Sequence, residues 1–358
     1  MTGKSQEGNQ AGIRITLEDL DRVHLAEYAP APIVQPEPGS RSYGTIAEAS
    51  GQAPTAEPER GSLFLQGWFY LGAAGLLGAL LGWGICEPGF RDEAAGFHWG
   101  NFLLMPVLVT MMTLGFGIAE SLVERSLNKA LIRSALALPL GAFLGFVFYF
   151  IANIFFTVGL GVCAELGLRS FHNPAFWVVR AVAWTVFGVA GGLVYGIVGQ
   201  SYKKGKFGVL GGVLGAGIGG LLFDPISIWT GGHTGALSRA VGFAIFGLAT
   251  GTVMGVVESA LKDRWFYVTS GPLAGKQFIL YKPQTSIGSN QQSDIYLFKD
   301  PSILPAHAVL ETNGARMTLR AAGPVFVSGS PVSNRVLLDG DLVQIGRYTF
   351  RYKEKSRA

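Results

Sequence analysis

The chain has 358 residues, of which 49% are hydrophobic and only 15% charged, with a formal net charge of +4 and a mean hydropathy of +0.35. That is too apolar for an ordinary soluble enzyme of this size. Its two cysteines, Cys86 and Cys163, can make neither a zinc site by themselves nor a close-spaced redox pair.

In chain order, residues 1–61 come first and are polar and Pro-rich, with five basic against nine acidic residues. Such a stretch cannot bury enough apolar surface to fold alone, so a disordered cytoplasmic tail is expected. Thr16-Leu-Glu-Asp19 is a capping box that predicts a short helix near 17–26. About sixty polar residues precede anything apolar, so no signal peptide is read and the first span must direct insertion.

Residues 62–262 form an apolar block whose charges fall in short gaps. A membrane-crossing helix needs about 20 predominantly apolar residues, and six stretches qualify: 63–86, 101–122, 134–161, 176–200, 207–230 and 238–261. They are apolar on every side, whereas a soluble bundle would show polar faces at helical period. Arg125, Lys129, Arg133, Lys203, Lys204, Lys206, Lys262 and Arg264 cluster at one set of ends, which the positive-inside rule places in the cytoplasm. Six spans then leave both termini cytoplasmic at a bacterial inner (plasma) membrane. Cys86 and Cys163 fall past the opposite ends. A disulfide between them is open if that side is oxidising; otherwise they are unpaired small hydrophobic residues.

Glycine recurs every fourth residue at Gly188, Gly192 and Gly196, at Gly211, Gly215 and Gly219, and at Gly247, Gly251 and Gly255. Four residues nearly complete a helical turn, so each row lines one face. Lipid gives helices no hydrophobic reason to associate, and close approach across small residues supplies the packing instead. A tight bundle, or a homo-oligomer through these faces, is expected. Glu120, Arg180, Asp224 and Glu258 are the ionisable residues expected inside spans. Either they line an ion path, or they snorkel and pair, Arg180 with Asp224 and the glutamates with the basic residues that follow them. Asp224-Pro225 reads as the end of the fifth helix.

After Arg264 the period changes to that of short strands separated by turn residues, which predicts an all-β sandwich over 264–358. Gly271-Pro-Leu-Ala-Gly275 with Phe278, Ser286-Ile-Gly288, Ser293-Asp-Ile295, His307-Ala308 and Leu338-Asp-Gly-Asp-Leu-Val-Gln-Ile-Gly346 with Phe350 follow one another across this segment. In order and spacing they resemble the forkhead-associated (FHA) family. The resemblance implies a protein-binding domain that reads phosphothreonine, with peptide-binding loops at Ser289, Asn290, Leu304, His307, Gly323 and Ser328. His307 has a structural role in that family.

The sequence departs from the family where the phosphate would sit. Ser289 stands where the family has Arg, Leu304 where it has Ser, and Gly323-Pro324-Val325 where it has Asn-Gly-Thr. Each charge-assisted bond to phosphate contributes about 1.5–3 kcal/mol, so losing several removes phosphate recognition. From Arg264 onward there are twelve basic residues against six acidic ones; most of that charge reads as a solvated surface, with acidic partners or anionic lipid headgroups as the further readings.

The expected architecture is therefore a polytopic α-helical membrane bundle followed by an FHA-like β-sandwich. The expected function is a membrane-anchored protein-binding, scaffolding or signalling module without phosphothreonine selectivity. A transporter or channel subunit regulated by the β-domain is the alternative. Membrane lipids and a cytosolic protein or peptide are the expected partners. The sequence offers no nucleic-acid site, cofactor site, metal-ligand cluster or nucleophile beside a His and an acid.

Overall fold

The computed structural model describes residues 63–91, 97–168, 173–229, 235–314 and 316–355. The expected tail and its short helix lie outside these residues. Among the described residues six α-helices precede the strands: α1 (Gly67–Cys86), α2 (Trp99–Val123), α3 (Leu127–Glu165), α4 (Pro174–Val198), α5 (Tyr202–Trp229) and α6 (Gly235–Ala260). All six are long and apolar enough to cross a membrane. Side-chain caps fix the starts of α3 and α4. Ser126 Oγ accepts from the Lys129 amide to cap α3, and Asn173 Oδ1 caps α4 with Pro174 in the first turn.

Several helix ends differ from the expected spans by a few residues, and two of these differences have a local cause. Helix α3 begins seven residues before position 134, because Lys129 and Arg133 find carboxylate partners that let their turns remain helical. Helix α5 does not end at Asp224-Pro225 but runs on to Trp229. A proline removes one backbone donor, which continued packing can tolerate. Pro106 and Pro139 also sit inside helices.

The glycine rows order the bundle. A Cβ at Gly188, Gly192 or Gly196 would collide with Gly212, Val209 or Gly205 on α5. Gly211, Gly215 and Gly219 meet Met254, Thr250 and Phe246 on α6, and Gly247, Gly251 and Gly255 meet Gly75, Leu71 and Trp68 on α1. Gly78 and Gly82 bring α1 against α2, and Gly141 and Gly145 bring α3 against α2. Contact between α3 and α4 closes a ring of six antiparallel neighbours. All nine glycines of the three long rows are buried within the chain. The expectation that these faces join a second copy is therefore corrected: neighbouring helices of the same chain already occupy them.

Cys86 and Cys163 are buried and unpaired.

The β-domain is a sandwich, with eleven strands among the described residues. One sheet runs β2 (Gln277–Ile279), β1 (Arg264–Ser270), β11 (Tyr348–Glu354), β10 (Leu342–Ile345), β7 (Val325–Val327) and β8 (Ser330–Pro331). The other runs β4 (Ile295–Tyr296), β3 (Gln284–Gly288), β5 (Ala308–Asn313), β6 (Arg316–Ala321) and β9 (Asn334–Leu337). Alternate residues point inward, as the buried Phe266 and Val268 on β1 and Phe350 and Tyr352 on β11 show. Phe266, Ile287, Leu310, Leu319, Val343 and Phe350 form the core between the sheets. The strands from Val325 to Leu337 are short and carry a Ser-Gly-Ser-Pro run, so they show little periodic signal in the sequence.

Candidate functional site: the loop face of the β-domain and its junction with the helices

His307 organises the loops at one end of the sandwich. Its ring is almost fully buried; Nδ1 accepts from the Leu304 amide at 3.1 Å, and Nε2 lies 3.0 Å from the Pro324 carbonyl oxygen. A ring nitrogen that accepts must be unprotonated, so the other carries the hydrogen and donates to Pro324. The backbone of His307 adds three bonds, from its amide to Ile287 O and to its carbonyl from the Ala322 and Gly323 amides. Gly323 has to be glycine here, since a Cβ would run into the imidazole ring. Gly288 similarly lets the end of β3 pass the Pro305 carbonyl. The side chain thus ties the loop before β5 to the loop before β7, while the backbone amide of His307 adds the end of β3.

The other loop positions are engaged within the domain or apolar. Ser289 donates its hydroxyl to the Ile303 carbonyl at 2.8 Å. Asn290 Oδ1 accepts from the Gln292 amide, an Asx turn. Ser328 is exposed and donates to Asp341 Oδ1. Leu304 and Phe326 are exposed, as are Pro305, Ala306 and Pro324. None of Ser289, Asn290, Leu304, Gly323 or Ser328 supplies a cation.

Behind this face the domain is clasped to the helices. Glu124, the residue that ends α2, takes Lys129 of α3 on Oε2 at 3.2 Å and Lys276 of the β-domain on Oε1 at 2.8 Å. Lys276 and Glu124 are each only 2% exposed. Removing one member of a buried pair strands the other charge and costs about 3–5 kcal/mol, so this contact fixes orientation strongly. Lys129 Nζ also donates to the Asp294 carbonyl, and Ser126 Oγ to the Gln291 carbonyl. Asp294 in turn holds Lys282 at 2.8 Å and accepts from both the amide and the hydroxyl of Ser286. Burial alone would raise its carboxyl, but these donors outweigh that and hold it below the usual carboxylate range. The loop after β3 therefore serves two neighbours: Asn290 faces outward, while Gln291 and Asp294 grip the α2–α3 turn.

The polar residues expected inside spans fall into two groups. Glu120 accepts from Lys204 at 2.7 Å and from Arg133 at 3.0 Å. Glu258 differs from expectation: it accepts the hydroxyls of Tyr195 and Tyr281, each at 2.8 Å, rather than pairing with a following base. Tyr281 comes from the β-domain, and burial, followed by the neighbouring Glu258 charge, pushes its hydroxyl well above the ordinary range, so it stays a donor. At the opposite end of the ring, Arg180 Nε donates to Asp224 at 2.9 Å, with its guanidinium over Phe223.

Between these ends the ring is filled. Phe116, Phe187, Met112 and Phe246 leave a void of about 10 Å³, too small for more than one water. The hydroxyls of Thr110, Thr113 and Thr250 donate to carbonyls of their own helices.

Sequence patterns single out the helices and the loop positions, and use Lys129 only as a topology marker and Asp294 only as part of a motif; they give no sign that these two meet Glu124, Lys276 and Tyr281 at a junction. A charged residue in a turn looks solvent-bound until a second domain covers it, and nothing in the local pattern reports that cover.

Residues 267–356 match the family model described as the cytoplasmic domain of an inner membrane component of T3SS, Yop-YscD. The chain is similar to the glycogen accumulation regulator GarA of Mycolicibacterium smegmatis, 35% identical over 101 residues, covering 27% of this chain and 63% of the relative. It is also similar to the oxoglutarate dehydrogenase inhibitor of Corynebacterium diphtheriae, 33% identical over 94 residues, covering 25% of this chain and 65% of that protein. The chain thus spans less than two thirds of the length of these curated relatives. Among solved structures, the FHA domain of the CT664 protein from Chlamydia trachomatis is 22% identical, covering 26% of this chain and 100% of that one, with a TM-score of 0.25. The FhaA FHA domain, solved in complex with the intracellular domain of Rv3910, is 19% identical and covers 25% of this chain and 99% of that one, with a TM-score of 0.23. The motifs in register, the two-sheet sandwich and the matched family model agree: the C-terminal part of this chain is an FHA-type domain, carried behind six long apolar helices.

Proposed function

We propose that the chain is a membrane-anchored protein-binding module that presents its FHA-type domain at the cytoplasmic face of a bacterial plasma membrane and binds its partner without phosphothreonine selectivity. The carrying observation is the chemistry of the loop face. Phosphate recognition needs charge-assisted donors. Here no cation stands at the loop positions, the Ser289 hydroxyl is spent on Ile303, and Leu304 and Phe326 are exposed instead. The basic residues of the helix-connecting turns gather at the end that carries the β-domain, which supports the cytoplasmic assignment. The filled ring favours an anchor over a conduit.

The test uses the full chain in lipid nanodiscs against a phosphothreonine peptide library and its unphosphorylated twin. Affinities within about twofold of each other are expected. A tenfold preference for the phosphorylated set, about 1.4 kcal/mol, would contradict the proposal.

A further inference from the structure

A trough of about 450 Å³ lies between α4 and α5 at the end nearest the β-domain, within the size range of about 300–1,000 Å³ typical of small-molecule sites. Leu193 and Ile197 wall it on α4, Tyr202 and Val209 on α5, and Gly196 and Gly205 leave its middle without side chains. The positions 193, 196 and 197 on α4 and 202, 205, 206 and 209 on α5 are stripes, each spaced to share one helix face, and Gln200 lines the trough from the turn between the two helices.

The charge at its mouth is distinctive. Three lysines sit at the start of α5, and two are committed: Lys203 pairs with Asp263 at 3.0 Å and Lys204 with Glu120 at 2.7 Å. Lys206 lines the trough, is exposed, and has no ion-pair or hydrogen-bond partner among the described residues. An apolar trough on a lipid-facing surface, ending at an uncommitted ammonium where the helices reach the headgroup level, complements a molecule with a hydrocarbon chain and an anionic head.

We propose that this trough binds one acyl chain of an anionic glycerophospholipid, with Lys206 taking the lipid phosphate. The site rests on the membrane-spanning reading above, so the experiment separates the two. The full chain is first floated with phosphatidylcholine vesicles. It is then titrated in detergent with phosphatidylglycerol, phosphatidylcholine or free glycerol phosphate and followed by native mass spectrometry.

Flotation is expected. One phosphatidylglycerol should bind about fivefold more tightly than phosphatidylcholine, the gain of about 1 kcal/mol that one lysine near an anionic surface supplies. Lys206→Gln should erase that preference, and Ile197→Trp, which fills the trough, should weaken both lipids. Glycerol phosphate should not compete. A preference unchanged in Lys206→Gln, unaltered affinities in Ile197→Trp, or competition by free glycerol phosphate would each overturn the site while leaving the membrane reading standing. Failure to float would overturn that reading and the site with it.

Discussion

Asp294 illustrates how one side chain can tune a domain. It holds Lys282, closes on Ser286, and offers its carbonyl to Lys129 from the helices. Its carboxyl is held below the ordinary range, so the folded state favours the ionised form. The contribution is present above the unfolded value of about 3.9 and is lost as pH falls through the lower folded value. The β-domain should therefore lose protection at Ser286 and neighbouring amides below about pH 4, and Asp294→Asn should flatten that acid limb. Hydrogen exchange of the full chain against pH checks this. A variant as acid-sensitive as the parent would contradict it. His307 was legible as a structural residue through family resemblance alone, whereas Lys276 was not: its burial depends on Glu124, 152 residues away.

At the scale of elements, the spacing of glycines is readable in the sequence but their partners are not. A row at every fourth position states that a helix approaches something closely; only the structure shows that the partner is the next helix of the same chain. The distinction has a measurable consequence. Gly251 packs against the Leu71 backbone, whereas Gly84 faces open space. Gly251→Leu should force α1 and α6 apart at a cost of about 1–3 kcal/mol or more, lowering the thermal midpoint of the detergent-solubilised chain. Gly84→Leu should stay within about 0.5 kcal/mol of the parent. Equal melting of the two variants would sink this account of the ring. Helix boundaries were less legible than helix identity, because paired charges extended α3 and Pro225 failed to stop α5. Strands β7 to β9 carry little periodic signal, because their short Ser- and Pro-containing segments owe their pairing to the sheets around them.

For the whole molecule, hydropathy alone separated an apolar helical block from a β-rich domain, and the motif series gave that domain its type. What the linear pattern could not convey is how firmly the two are joined. Glu124 and Glu258, at the ends of α2 and α6, take Lys276 and Tyr281 from the sandwich. A partner bound at the loop face as proposed would therefore pull on residues held by the α2–α3 turn, so the helices also set how the domain is presented. That account stands or falls with the side of the membrane on which the domain lies. The direct measurement places a single cysteine at the exposed Ser330 in a chain whose Cys86 and Cys163 are changed to alanine, and exposes bacterial spheroplasts to a membrane-impermeant maleimide. The Ser330→Cys variant should label only after lysis; labelling in intact spheroplasts would contradict the cytoplasmic presentation.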